Sequence, residues 1–157
     1  MEQDIKPLST TDGPLSGVFE HALDPKKRIT IPSVWREVMG APTHVHVMPD
    51  PCEACLTMLP PAVVQPRLQE LRARALFDEG QTESLADFFE GAEFLALDVQ
   101  GRIRIGDDLL AFAKIDGHVQ WLGLGVRVQI WSAKLRPRRK GVDQEKLLAA
   151  AQALGFR

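Results

Sequence analysis

The sequence predicts an α+β protein: two copies of one β-rich unit, a helical linker between them and a helix at the C-terminus. Three observations predict it. "EHALDPKKRITIP", residues 20 to 32, is answered by "FLALDVQGRIRIG", residues 94 to 106, at a constant offset of 74. "THVHV" at 43 to 47 is answered at the same offset by "GHVQW" at 117 to 121. The offset slips to 72 where "LTML" at 56 to 59 meets "VQIW" at 128 to 131, and the slip falls in a turn, where an insertion costs little.

Each copy has the same order of elements. Residues 18 to 23 alternate in polarity and read as a strand. A charged turn follows, Asp24-Pro25-Lys26-Lys27-Arg28, read as the tip of a hairpin whose second strand runs from Arg28 to Ile31. Pro32 stops that strand because proline cannot donate to a ladder. Residues 33 to 39 form one or two helical turns with Val34, Trp35 and Val38 apolar. Strands at 43 to 48 and 55 to 59 close the unit, matched by 117 to 123 and 126 to 131. In the second copy Asp107 is placed as the N-cap of the equivalent helix.

Between the copies, residues 61 to 91 read as helical. Pro66 is assigned to an early turn, and Leu68, Leu71, Ala75 and Leu76 make one face. A second stretch carries Leu85, Phe88 and Phe89, capped by Thr82 or Ser84. After residue 132 comes a basic run, "KLRPRRK". A helix rich in alanine and leucine follows, with an apolar side of Leu147, Leu148, Ala151 and Leu154 and Gly155 near its stop. The organisation expected is a flexible leader 1–16, units at 17–60 and 92–135, a linker 61–91, and a basic segment with the last helix at 136–157. A four-strand unit cannot cover both faces of its sheet. Two copies are therefore expected to pack about a pseudo-twofold axis, with both charged tips on one surface.

The net charge is -2, so a polyanion would have to be met by local patches. The longest apolar run, Trp121 to Val126, is too short to span a bilayer, and the N-terminus has no signal-peptide core. A cytoplasmic protein without a membrane partner is expected. No phosphate loop, nucleophile elbow or carboxylate pair appears, so neither an enzyme nor a small-molecule substrate is expected. A charged hairpin tip is either simply solvated or a place of contact. Lysines and arginines at a rigid tip reach phosphates, and a β-ribbon entering a major groove lets arginine read guanine. Asp24 and Asp98 precede both tips and are expected to orient them through loop amides or their arginines, without touching DNA. A rival pattern is His44, His46, Cys52 and Cys55, four zinc-type ligands at plausible spacing. No cofactor is expected, and zinc on that set is the weaker reading.

These residues resemble the MraZ family, whose members carry two tandem SpoVT-AbrB-like units with D-x-K-G-R-x-x-x-P in each. The first copy reads Asp24, Pro25, Lys26, Lys27, Arg28, Ile29, Thr30, Ile31, Pro32, then Arg36 on the helix; the second runs from Asp98 to Ile105. The resemblance covers roughly residues 17 to 135. It implies a DNA-binding transcriptional regulator in a ring-shaped homo-oligomer, associated with the nucleoid and acting near the division and cell-wall gene cluster. It also implies that Lys26, Lys27, Arg28, Arg36, Arg102 and Arg104 face DNA. Lys27 replaces the loop glycine, which would strain a turn that needs positive φ. In the second copy Val99 is read in the lysine slot, Gly106 in the proline slot and Leu110 in the helix-arginine slot. That leaves Arg102 as its certain cation, with Arg104 two residues on. Two further readings stand beside this one: an interaction protein of the same fold that has lost DNA binding, or a zinc or redox sensor built on the His/Cys set.

Overall fold

The structure, a computed structural model, describes residues 13–75, 86–136 and 143–156. The first unit contributes β1 (Val18–Ala22), β2 (Arg28–Thr30), α1 (Ser33–Val38), β3 (His44–Pro49) and β4 (Leu56–Leu59). Next come α2 (Pro61–Ala75) and the helical residues 86–91, α3. The second unit contributes β5 (Glu93–Ala96), β6 (Arg102–Arg104), α4 (Asp107–Ala113), β7 (His118–Gly123) and β8 (Val128–Ser132), and α5 (Gln144–Ala153) follows. The α+β class is as expected from sequence.

The pairing is not. β1 and β2 do not form a hairpin with each other. β1 pairs with β7, β5 with β3 and β2 with β6, all antiparallel, so each unit lends strands to the other. The result is a six-stranded sheet of order β1-β7-β8-β4-β3-β5 and a two-stranded ribbon, β2-β6. Sequence periodicity reports which face a residue takes and is silent on which strand lies beside it. Equivalent residues meet each other at two places, Ile29 with Ile103 in the ribbon and Thr57 with Gln129 in the sheet. A pseudo-twofold axis must pass through both pairs, because only positions on the axis can pair with their own counterparts.

The core lies between ribbon and sheet. Alternation along β2 and β6 sends Ile29, Ile31, Ile103 and Ile105 inward, where all four are buried against Val45, Val47, Val119 and Ile130. Each such side chain contributes about 1.5–3 kcal/mol by leaving water. Trp35 of α1 is fully buried and packs edge-on against Phe19 at 5.0 Å and Trp121 at 5.9 Å. Leu15, expected in the flexible leader, is 2% exposed and exchanges backbone bonds with Gly125.

Other placements shift for local reasons. Pro66 lies inside α2, in its second turn, since the helix starts at Pro61. It therefore removes one i→i−4 bond. Among the described side chains of that helix Val64 is buried, with Leu68 and Leu71 half-buried. Thr82, Ser84, Leu76 and Leu85 lie outside the described residues, as do residues 1–12 and the 137–140 part of the basic run. What is described of that run is tied down: Arg136 Nη1 donates to Gln120 Oε1 at 2.7 Å. α5 is capped by Asp143, whose carboxylate accepts from the amides of Glu145 and Lys146. Its apolar residues Leu147, Leu148 and Leu154 are exposed, as is Phe156.

Candidate nucleic-acid interface

The ribbon has one face in the core and one in solvent. Arg28 lies opposite Arg104, and Thr30 opposite Arg102. Directly opposed residues share a face, so all four project away from the buried isoleucines. Three of the four outward positions are arginines. Strand exchange distributes them unexpectedly. Arg104, grouped by sequence with the second tip, stands at the first tip beside Arg28.

The ladder continues past the strands. Ile105 N donates to Lys27 O at 3.0 Å, and Ile31 N to Gly101 O at 2.9 Å. The two tips therefore cap opposite ends of one ribbon, about 14 Å apart at four residues of strand rise. Each tip is built the same way. Asp24 Oδ1 accepts from the amides of Lys26 (2.9 Å) and Arg28 (2.8 Å), and Oδ2 from Arg28 Nε (2.7 Å). Asp98 Oδ1 accepts from the amides of Gln100 (3.0 Å) and Arg102 (2.9 Å), and Oδ2 from Arg102 Nε (2.7 Å). The Arg28 amide, then the Arg28 side chain, hold the Asp24 carboxyl below its ordinary value. The Arg102 amide and side chain do the same for Asp98. These bonds correct one slot: Gln100, not Val99, stands where Lys26 does.

The tips differ in what leans on them. Gly101 sits at φ 78°, and a Cβ there would meet the Arg36 guanidinium at 2.4 Å. Arg36, anchored by its Nε donating to Ile31 O at 3.1 Å, thus crosses from the helix of the first copy onto the tip of the second. Lys27 holds the equivalent left-handed conformation at φ 63° without being glycine, a strain of about 1–2 kcal/mol. Its ammonium pairs with Asp107. Asp107 is the first residue of α4, not its cap; Gly106 holds the cap position. The Asp107 carboxyl is held low by the bond from Lys27, by the Lys27 charge and, more weakly, by Arg104.

A second paired change sits nearby. Pro32 has no N–H, whereas the Gly106 amide donates to Glu93 Oε2 at 3.2 Å, and a Cβ at Gly106 would strike that carboxylate. Phe19, the counterpart of Glu93, packs on Trp35 instead. Sequence reasoning misses Asp107 and Glu93 as partners. The signal is present at offset 74, where 19/93, 27/101, 32/106 and 36/110 all differ between copies.

The His/Cys set does not converge. His44 stacks on Phe94 and His46 lies tilted against it, each with ring centroids 4.6 Å away. Cys52 is exposed, and Cys55 is buried with its thiol pushed up to about 12, chiefly by burial. The turn between them is organised by Asp50, which accepts from the amides of Cys52 and Glu53 and from the Thr57 hydroxyl. Among the described residues no three His, Cys, Asp or Glu side chains gather as a metal site. No helix among them is long and apolar enough to cross a membrane.

The fold and tips define a class: internally duplicated, strand-exchanged α+β proteins that present two aspartate-braced turns on one cationic ribbon. A transcriptional regulator MraZ from Syntrophomonas wolfei is 38% identical over 120 residues, covering 75% of this chain and 80% of that protein. One from Symbiobacterium thermophilum is 31% identical over 140 residues, covering 89% and 99%. One from Clostridium acetobutylicum is 28% identical over 142 residues, covering 89% and 98%. The chain belongs to the MraZ family. No protein-family model matches it. The name these relatives carry is that of a regulator, in accord with the expectation of a non-enzyme.

Proposed function

We propose that the protein is a DNA-binding transcriptional regulator whose contact surface is the outward face of the β2-β6 ribbon with its two tips. The observation that carries this reading is the array on that face. Arg28, Arg104 and Arg102 project together, flanked by Lys26, Lys27 and Arg36, in a chain whose net charge is negative. A two-stranded ribbon fits a major groove, and arginines on it serve both phosphates and guanine edges. Asp24 and Asp98 orient the tips and contribute no DNA contact. The names of the relatives support regulation of transcription.

Family membership carries a finer reading: a ring-shaped homo-oligomer, cytoplasmic and nucleoid-associated, acting near the division and cell-wall gene cluster. Weak contacts at single tips would then add through multivalency. The exposed apolar side of α5 suits contact between subunits. The units 17–60 and 92–135 act as the two halves of one DNA-reading surface. The competing reading, an interaction protein that has lost DNA binding, draws on the ion pairs that occupy Lys27, Arg28 and Arg102.

Salt-titrated binding to duplex DNA from upstream of the protein's own gene separates the two readings. Regulatory binding should weaken steeply with salt, by about 0.9 log units per log unit of salt for each phosphate neutralised. Absence of saturable binding at low salt would leave the interaction protein standing.

A further inference from the structure

The second tip carries no lysine, and what stands in its place has a specific chemistry. Val99 is 102% exposed, more than any other large apolar residue among those described, and Gln100 beside it is exposed too. Their backbone is held by the Asp98 bonds to the amides of Gln100 and Arg102 and by the Gly101 turn. Little ordering would therefore be needed on contact. Val99 also borders a cleft of about 270 Å³ lined as well by Leu97, Pro42, Ala41 and Arg36. The first tip offers Pro25, Lys26 and Lys27 at the same places, a phosphate-seeking set.

We infer that the second tip is a base-reading element for A·T pairs in the major groove. Val99 makes apolar contact with a thymine C5-methyl, and the Gln100 amide bridges adenine N6 and N7. A single A·T pair presents both partners on its major-groove edge, and the bidentate amide pairing is specific to adenine. The first tip, with Lys26, Lys27, Arg28 and Arg104, supplies charge and the arginine contacts. This inference rests on the DNA-binding reading above and adds which bases are read, and by which residues.

The test is binding of the same upstream duplex made with thymine or with uracil, which differ only in that methyl group. The parent should prefer the thymine duplex by about fourfold for each tip engaged, the value of one buried methyl-sized group. Val99→Ala should remove the preference by weakening thymine binding to the uracil level. It should weaken uracil binding less than thymine binding and leave the salt slope unchanged. The position is fully exposed, so the variant keeps its fold, and Val99→Thr, which keeps one methyl, should retain part of the preference. Gln100→Lys should steepen the salt slope by about 0.9 per tip engaged while reducing discrimination among A·T-substituted duplexes. Equal binding of thymine and uracil duplexes by the parent would overturn the inference and leave DNA binding intact. So would equal losses on both duplexes for Val99→Ala. No binding of either duplex would remove the regulatory reading and this inference together.

Discussion

The two tips share a frame and differ in what is built on it. Both have an aspartate that accepts from two amides and one arginine, and both end in a left-handed residue. At the second tip that residue is Gly101, over which Arg36 reaches from the opposite copy's helix. At the first tip it is Lys27, the helix position equivalent to Arg36 is the buried Leu110, and the Lys27 ammonium pairs with Asp107. A cation is thus present beside both tips, delivered once from the helix and once from the turn. Strand exchange explains why the tip and helix changes come as a pair: each tip meets the other copy's helix, so the two must suit each other in space although they are far apart in sequence.

The largest effect expected on DNA binding comes from Arg28→Ala. Removing a bidentate contact worth about 1–3 kcal/mol predicts a drop of roughly five- to 150-fold. Arg102→Ala should cost less, since its tip has no lysine to place it against phosphates, and a reversed order would break the division between the lysine-bearing and lysine-free tips. Lys26→Ala together with Lys27→Ala should come next, weakening binding to all sequences alike and lowering the salt slope by about 0.9 for each phosphate no longer neutralised.

Backbone substitutions probe the same contrast through stability. Gly101→Ala forces a Cβ into the left-handed region and into the Arg36 guanidinium, so thermal unfolding should show a loss of about 1–2 kcal/mol or more. Lys27→Gly relieves that strain and surrenders only an exposed ion pair, worth about 0–1 kcal/mol, so its melting temperature should stay level or rise. The double variant Lys27→Gly with Leu110→Arg moves the cation of the first tip from turn to helix, as Arg36 supplies it at the second, and because Leu110 is buried the variant is compared only once it is shown to keep the parent fold. Its salt slope should return towards the parent value while that of Lys27→Gly alone stays reduced. Failure of that rescue would mean the cation must sit on the turn.

Acid should produce the smallest difference between the tips. Asp24 and Asp98 are both lowered from 3.8. Carboxyls with depressed folded values contribute stability that is complete above the ordinary value and lost as pH falls through the lowered one. Amide exchange or resonance shifts of Arg28 and Arg102 should therefore change together below about pH 4. One tip opening well before the other would show that the matching bond sets hide unequal frames.

Much of the fold is legible in the sequence because side-chain alternation and a fixed offset are local signals. Strands at 18–22, 44–49 and 118–123 lie within a residue of where alternation puts them. The turn insertion also falls where the offset slips. Partnership is not legible, because a strand's pattern is the same whichever neighbour it pairs with. Sequence order accordingly assigns Arg104 to the wrong end of the ribbon. Asp107 reads as a cap, because a carboxylate at a helix start has two uses and only the neighbouring chain decides between them. Gln100 is hidden by a slot error that the paired hydrogen bonds of Lys26 and Gln100 remove.

The exchanged strands also bear on how the chain comes into being. Glu20 on β1 meets Gln120 on β7, 100 residues later. While the first copy emerges from the ribosome, β1, β2 and the outer edge of β3 have no neighbours to satisfy their amides. Nothing in the first copy can substitute, since its β1 and β2 turn away from each other into different sheets. At a synthesis rate of about 5–20 residues per second, that half-finished state lasts on the order of seconds with apolar strands open to other nascent chains. Several chains translated side by side on one message would meet in that state. The same exchange that ties the two copies together within a chain would then be open between chains, and the linker 61–91 is the segment whose length decides which of the two pairings closes first.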